Sequence, residues 1–131
     1  MTRSALFGAA ALALTVTAAK AAEDFDSANY YLPGCQEFVV RNGAISARSG
    51  LCGGVVRGIV YMGKDQSLLQ LDYSSLQSAV VWVYCLDVPY KVTVAQAVRV
   101  VVSYIEARPA RMHEPFNDLA LEALREAWPC K

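Results

Sequence analysis

One histidine, His113, stands in the whole chain, and no two of its four cysteines form a C-x-x-C pair. Structural zinc sites draw on clustered cysteine and histidine ligands, so this scarcity argues against a zinc-stabilised domain. His113-Glu114 begins like the H-E-x-x-H helix of a zinc protease, but Asn117 stands where the second histidine belongs. A G-x-S-x-G nucleophile elbow and a glycine-rich phosphate loop are both missing. Basic residues form no patch or stripe, so neither nucleic acid nor an anionic membrane surface is indicated as a partner. Beyond the N-terminus, Arg57 and Arg99 interrupt the two apolar runs, which leaves no membrane-spanning segment. These absences disfavour an enzyme and a bound cofactor, and they leave a protein or small molecule as the partner.

The N-terminus has the order of a secretory signal. Arg3 supplies a positive start, Ala5 to Thr17 is a short apolar core, and Ala19-Lys20-Ala21 fits a small-residue cleavage site. The core is roughly 13 residues against the about 20 that cross a bilayer, so it reads as a cleaved signal rather than an anchor. Cleavage after Ala21 divides the chain into a signal peptide, 1–21, and one domain, 22–131. Arg3 and Lys20 leave with the signal while all 12 acidic residues stay, so the mature chain is mildly acidic.

All four cysteines, Cys35, Cys52, Cys85 and Cys130, fall in the mature part. An even count in a small exported domain reads as two disulfides, with three connectivities open to four cysteines. The turns choose between them. Positions equidistant from the turn of an antiparallel hairpin lie side by side. The midpoint of Cys35 and Cys52 falls at the turn-like Asn42-Gly43, and that of Cys85 and Cys130 at Arg108-Pro109. The expected pairs are Cys35 with Cys52 and Cys85 with Cys130.

Periodicity supplies the helices. Glu23 to Ser27 reads as a frayed terminus, followed by one helical turn to Tyr31, a break at Pro33-Gly34, and a helix resuming from Cys35 to Arg41. Leu51, Cys52, Val55, Val56, Ile59 and Val60 make one continuous stripe on a helix from about Ser46 or Ser49 to Met62. Gly50, Gly54 and Gly58 repeat every fourth residue on another face, where a neighbouring helix is expected to pack, with a dimer contact as the sharper reading. Residues 63–73 resist assignment, and a helix from Ser75 into Cys85 is favoured over an isolated strand. Thr93 and Gln96 form a capping box ahead of a helix that is apolar around most of its circumference, with Gln96, Arg99, Ser103 and Glu106 as its polar strip. Pro109 stops it, and Pro115 opens a final helix whose core face is Phe116, Leu119, Ala120, Ala123, Leu124 and Ala127. The fold class is therefore all-α, a small bundle of about four to five helices made of two antiparallel hairpins, each stapled by a disulfide.

His113 and Glu114 are assigned to the turn rather than to chemistry, with Glu114 near the cap of the last helix. Tyr30, Tyr31, Tyr61, Tyr73 and Tyr90 belong to a set of seven tyrosines, a residue that suits both half-buried positions and protein interfaces.

Four stretches together resemble a known family. They are Leu32-Pro33-Gly34-Cys35, then Gly50-Leu51-Cys52-Gly53-Gly54, then Val92-Thr93 with Gln96 and Val98 to Val101, and finally Arg108 to Glu114 running on to Ala127-Trp128-Pro129-Cys130. The resemblance is to the Rap/Tai family of type VI secretion immunity proteins, and it covers about Ala28 to Cys130. It implies an exported, periplasmic, non-catalytic homodimer that binds and blocks a peptidoglycan amidase effector. Lys64 to Tyr84 departs from the family pattern. A surface that plugs one particular active site should differ between members, so Lys64, Asp65, Gln66, Asp72 and Tyr73 are the expected partner contacts. The competing reading is a small periplasmic acid-stress chaperone, also helical, disulfide-bonded and dimeric.

Overall fold

A computed structural model describes residues 24–64 and 85–130. The signal segment expected over 1–21 and the helix expected from Ser75 lie outside the described residues. Among the described residues four α-helices follow in order: α1 (Ala28–Arg41), α2 (Ala47–Lys64), α3 (Val94–Glu106) and α4 (Phe116–Ala127), with a 3-10 turn at Pro109–Arg111 between the last two. No strand occurs among the described residues, and the all-α class holds.

The two hairpins close where the cysteine midpoints placed them. Asn42 ends α1 in the left-handed conformation at φ 56°, and Gly43 donates to the Phe38 carbonyl at 3.0 Å. That geometry satisfies carbonyls the helix end leaves orphaned. Cys35 and Cys52 bridge α1 to α2 with Cα atoms 5.3 Å apart, and Cys85 and Cys130 close the second hairpin at 5.7 Å. Both spacings are normal for a disulfide. The Thr93 capping box is complete: Thr93 Oγ1 accepts from the Gln96 amide at 3.2 Å, while Gln96 Oε1 accepts from the Thr93 amide at 2.8 Å. A second reciprocal cap opens α2, where Ser46 Oγ accepts from the Ser49 amide at 3.1 Å and Ser49 Oγ from the Ser46 amide at 2.9 Å. Serine takes the place of the usual Glu or Gln, and this explains why Ser49 is a fully buried polar residue.

Apolar periodicity on α3 puts it at the centre, packed against α1, α2 and α4. Ala97, Val98, Val101, Val102 and Ile105 are buried, and the strip Gln96, Arg99, Ser103 and Glu106 is exposed as expected. On α4 the residues Phe116, Leu119, Ala120, Ala123 and Leu124 are buried, whereas Ala127 is exposed because the helix has reached its end there.

Three expectations are corrected. Pro33 does not break α1, which runs through it. Its ring is on the exposed side, and the carbonyl deprived of a partner is that of the exposed Asn29, where water can serve. The segment before α1 is not frayed either. Ser27 is 4% exposed, Ala28 donates to the Glu114 carbonyl at 3.0 Å, Asn29 to that of Met112 at 2.8 Å, and Phe116 to that of Asp26 at 2.7 Å. The first amides of α1 are thus capped by the backbone of the distant turn, a pairing no local sequence signal announces.

The third correction concerns the glycines. No described atom lies within 4 Å of a Cβ built on Gly54 or Gly58. The inward face of α2 is set by Cys52, and at about 100° per residue Gly54 and Gly58 point about 160° and about 120° away from it. Close approach is carried instead by Gly34, where a Cβ would meet the Arg48 carbonyl oxygen at 2.5 Å, and by Gly53, which lies under the Phe38 ring. Gly34→Ala should therefore cost about 2 kcal/mol, since backbone must shift to admit it. Gly54→Ala should raise stability by up to about 1 kcal/mol by removing a flexible residue from an open helix face. Urea midpoints of the two variants measure the contrast, and equal midpoints would refute it.

Candidate partner-binding surface

Of the five expected contacts, Asp65, Gln66, Asp72 and Tyr73 lie outside the described residues. Lys64 is the last residue of α2 and is exposed. It stands on the rim of an open cleft of about 450 Å³ between the second half of α2 and the segment leading into α3. Arg57, Tyr61 and Lys64 follow one another at helical spacing along α2, and Tyr90, Val92 and Val94 form the opposite wall. Tyr61 is 63% exposed and Tyr90 97% exposed, so two of the aromatic side chains singled out from sequence are free of the core. Tyr31 is not: its ring stacks on Phe116 at 4.2 Å.

The turn between α3 and α4 carries a different kind of surface. Arg111 Nε and Nη2 donate to the two oxygens of Glu114 at 2.9 and 2.7 Å, and its Nη1 donates to Glu122 Oε2 at 2.7 Å. Tyr104 donates its hydroxyl to the same Glu122 oxygen at 2.8 Å. Arg108 lies over the Tyr104 ring at 3.6 Å and pairs with Glu126 at 3.3 Å. Here the charges answer one another, and the sequence pattern that could have announced part of it is the Arg111–Glu114 spacing. Glu114 thus serves the turn by pairing with Arg111 and by offering its carbonyl to α1. His113 is exposed.

The network has a pH signature. Hydrogen bonds from Arg111 hold the Glu114 carboxyl below the usual range, and those from Arg111 and then Tyr104 do the same for Glu122. Burial, above all, raises the Tyr104 phenol. A carboxyl depressed in the folded state contributes stability above its unfolded pKa, near 4.3, and loses that contribution as pH falls through the folded value. Thermal midpoints should therefore hold from neutrality to about pH 5 and fall below about pH 4, and Arg111→Ala should flatten that fall. An identical acid profile for the variant would remove these pairs as its cause.

All four cysteines are in disulfides, and among the described residues no group of three or more His, Cys, Asp and Glu is placed to hold a metal ion. No described helix is long and apolar enough to cross a membrane. The open, partly apolar cleft beside α2 and the charge-paired turn between α3 and α4 are the two contrasting surfaces of this helical body. Residues 27–130 match a family model described as Rap1a immunity proteins. The chain belongs to that family, the Rap/Tai immunity family its motifs resemble, and membership implies a protein that binds a toxin effector. No curated protein and no solved structure matches the chain.

Proposed function

We propose that this protein is a periplasmic immunity protein of a type VI secretion system that binds and inhibits a peptidoglycan amidase effector without catalysis of its own. The observation that carries the reading is the family match over residues 27–130, which spans the whole described helical body. Two further features support it. The N-terminal segment has the order of a cleaved signal, with 22–131 as the mature domain. Two disulfides suit an oxidising compartment, which in a bacterium is the periplasm. The active form is a homodimer, and Lys64, Asp65, Gln66, Asp72 and Tyr73 contact the amidase.

Co-purification of the mature chain with exported amidases from the same cell tests this. One amidase should be retained and lose its peptidoglycan-cleaving activity in stoichiometric mixture. Retention of none refutes the amidase as partner. Charge reversal at Asp65 and Asp72 together should weaken inhibition, and unchanged inhibition counts against those contacts.

A further inference from the structure

We infer that the cleft between α2 and the segment before α3 is a docking groove for an acidic, aliphatic stretch of a protein partner. The inference rests on the reading of this chain as an effector-binding protein and names the chemistry that binding uses.

Charge is the first argument. Arg57 and Lys64 line the groove, and among the described residues no acidic one does. Among the described residues neither cation has a carboxylate within 4.0 Å, whereas Arg108 and Arg111 at the other end of the molecule are both paired. Arg57, Tyr61 and Lys64 stand at i, i+4 and i+7, so both positive groups and an aromatic ring present one face of α2. A guanidinium and an ammonium held roughly two turns apart suit successive carboxylates of a strand or loop, with arginine able to grip one of them by two parallel hydrogen bonds.

The wall chemistry is the second argument. Val60, Val92 and Val94 are half-buried, leaving apolar surface that the core does not consume. Tyr61 and Tyr90 stand at the rim, each offering apolar area and a hydroxyl at low entropic cost, as in many protein interfaces. The volume of about 450 Å³ is within the range of real ligand sites. Free carboxylates alone would leave the valines wet. A segment alternating acidic and aliphatic residues satisfies both halves of the groove.

The test uses the mature chain with isotope-labelled amides and two capped synthetic peptides, Glu-Leu-Glu-Leu-Glu and Lys-Leu-Lys-Leu-Lys. The acidic peptide should shift the amides of Arg57, Tyr61, Lys64 and Tyr90, and the basic one should not. In Arg57→Glu/Lys64→Glu the preference should invert. Both side chains are exposed, so the variant should keep the wild-type melting profile. No shift with either peptide, as when residues 65–84 of this chain already fill the groove, overturns the inference, and so does a response that ignores the reversal. A concentration-dependent doubling of mass that the double variant abolishes would give the groove to a second copy and also overturn it. The amidase enters separately. Where the wild type retains an amidase, the double variant should bind it about 10- to 100-fold more slowly, with a weaker salt dependence. Equal association rates overturn the groove and leave the amidase reading intact. Acidic-peptide binding without any amidase capture supports the groove while refuting the amidase.

Discussion

Replacing all four cysteines by alanine should leave the protein unfolded at about 37 °C. The Cys35–Cys52 bridge spans 17 residues of sequence and the Cys85–Cys130 bridge spans 45. Loop-closure entropy gives about 3 and about 4 kcal/mol for loops of those lengths. Burial changes the ranking. Both sulfurs of the first pair are fully inside the core, and those of the second are half-buried. Each core sulfur lost adds on the order of 1 kcal/mol, by analogy with a buried methylene, so Cys35→Ala/Cys52→Ala should cost at least as much as its partner pair. A domain of this size has about 5–15 kcal/mol in total, and losing both bridges consumes most of it. Urea titrations followed by circular dichroism read the three variants. A four-cysteine variant that keeps the wild-type midpoint would show the core suffices without staples.

Phe116→Ala is the most damaging single substitution expected outside the cysteines, at about 4 kcal/mol. Phe116 is fully buried, stacks on Tyr31, and opens α4 at the point where its amide reaches back to the Asp26 carbonyl. Truncation leaves a cavity beneath α1 and strips Tyr31 of its ring partner, a contact worth about 1 kcal/mol beyond its area. Phe116→Leu should recover more than half of the loss, since it refills most of the volume. Denaturant midpoints again decide. A cost below about 1 kcal/mol would mean that α1 and α4 relax into the space, which close-packed interiors rarely do.

How far the fold was legible in sequence depends on the range of the interaction that decides each element. The capping box at Thr93 is a contact between residues three apart, and it appears as read. The apolar periodicity of α3 and α4 likewise survives, because burial on a helix face leaves a repeating mark on the sequence. The disulfide pairs were readable for a less local reason, since a hairpin is symmetric about its turn. Pro33 misled because its cost depends on whether the freed carbonyl sees water, which only the packed orientation of α1 decides. The glycine stripe misled because spacing defines a face but not the direction in which it points. Cys52 fixes that direction, and it turns Gly54 and Gly58 outward. Of the candidate contacts, Lys64 is on an open cleft, but the weight that Arg57, Tyr61 and Tyr90 give it depends on α2 meeting the segment before α3. Tyr90 is more than 25 positions from Arg57, Tyr61 and Lys64 in the chain. The Arg111 network is similar, because Glu122 joins it only once α4 has folded back.

The meeting of Asp26–Asn29 with Met112–Phe116 has a bearing on how such a protein can diversify. Its bonds run from main-chain amide to main-chain carbonyl, at 2.7 to 3.0 Å, so they do not depend on which side chains the two segments carry. The exposed residues at the junction, Asp26, Asn29, His113 and Pro115, can drift without loosening the seam between the first and last helices, while Ala28 and Phe116 stay fixed by burial. A lineage obliged to keep pace with a changing toxin gains latitude from such a joint. Selection can rewrite outward-facing positions while the register of the body is held by atoms that substitution does not reach.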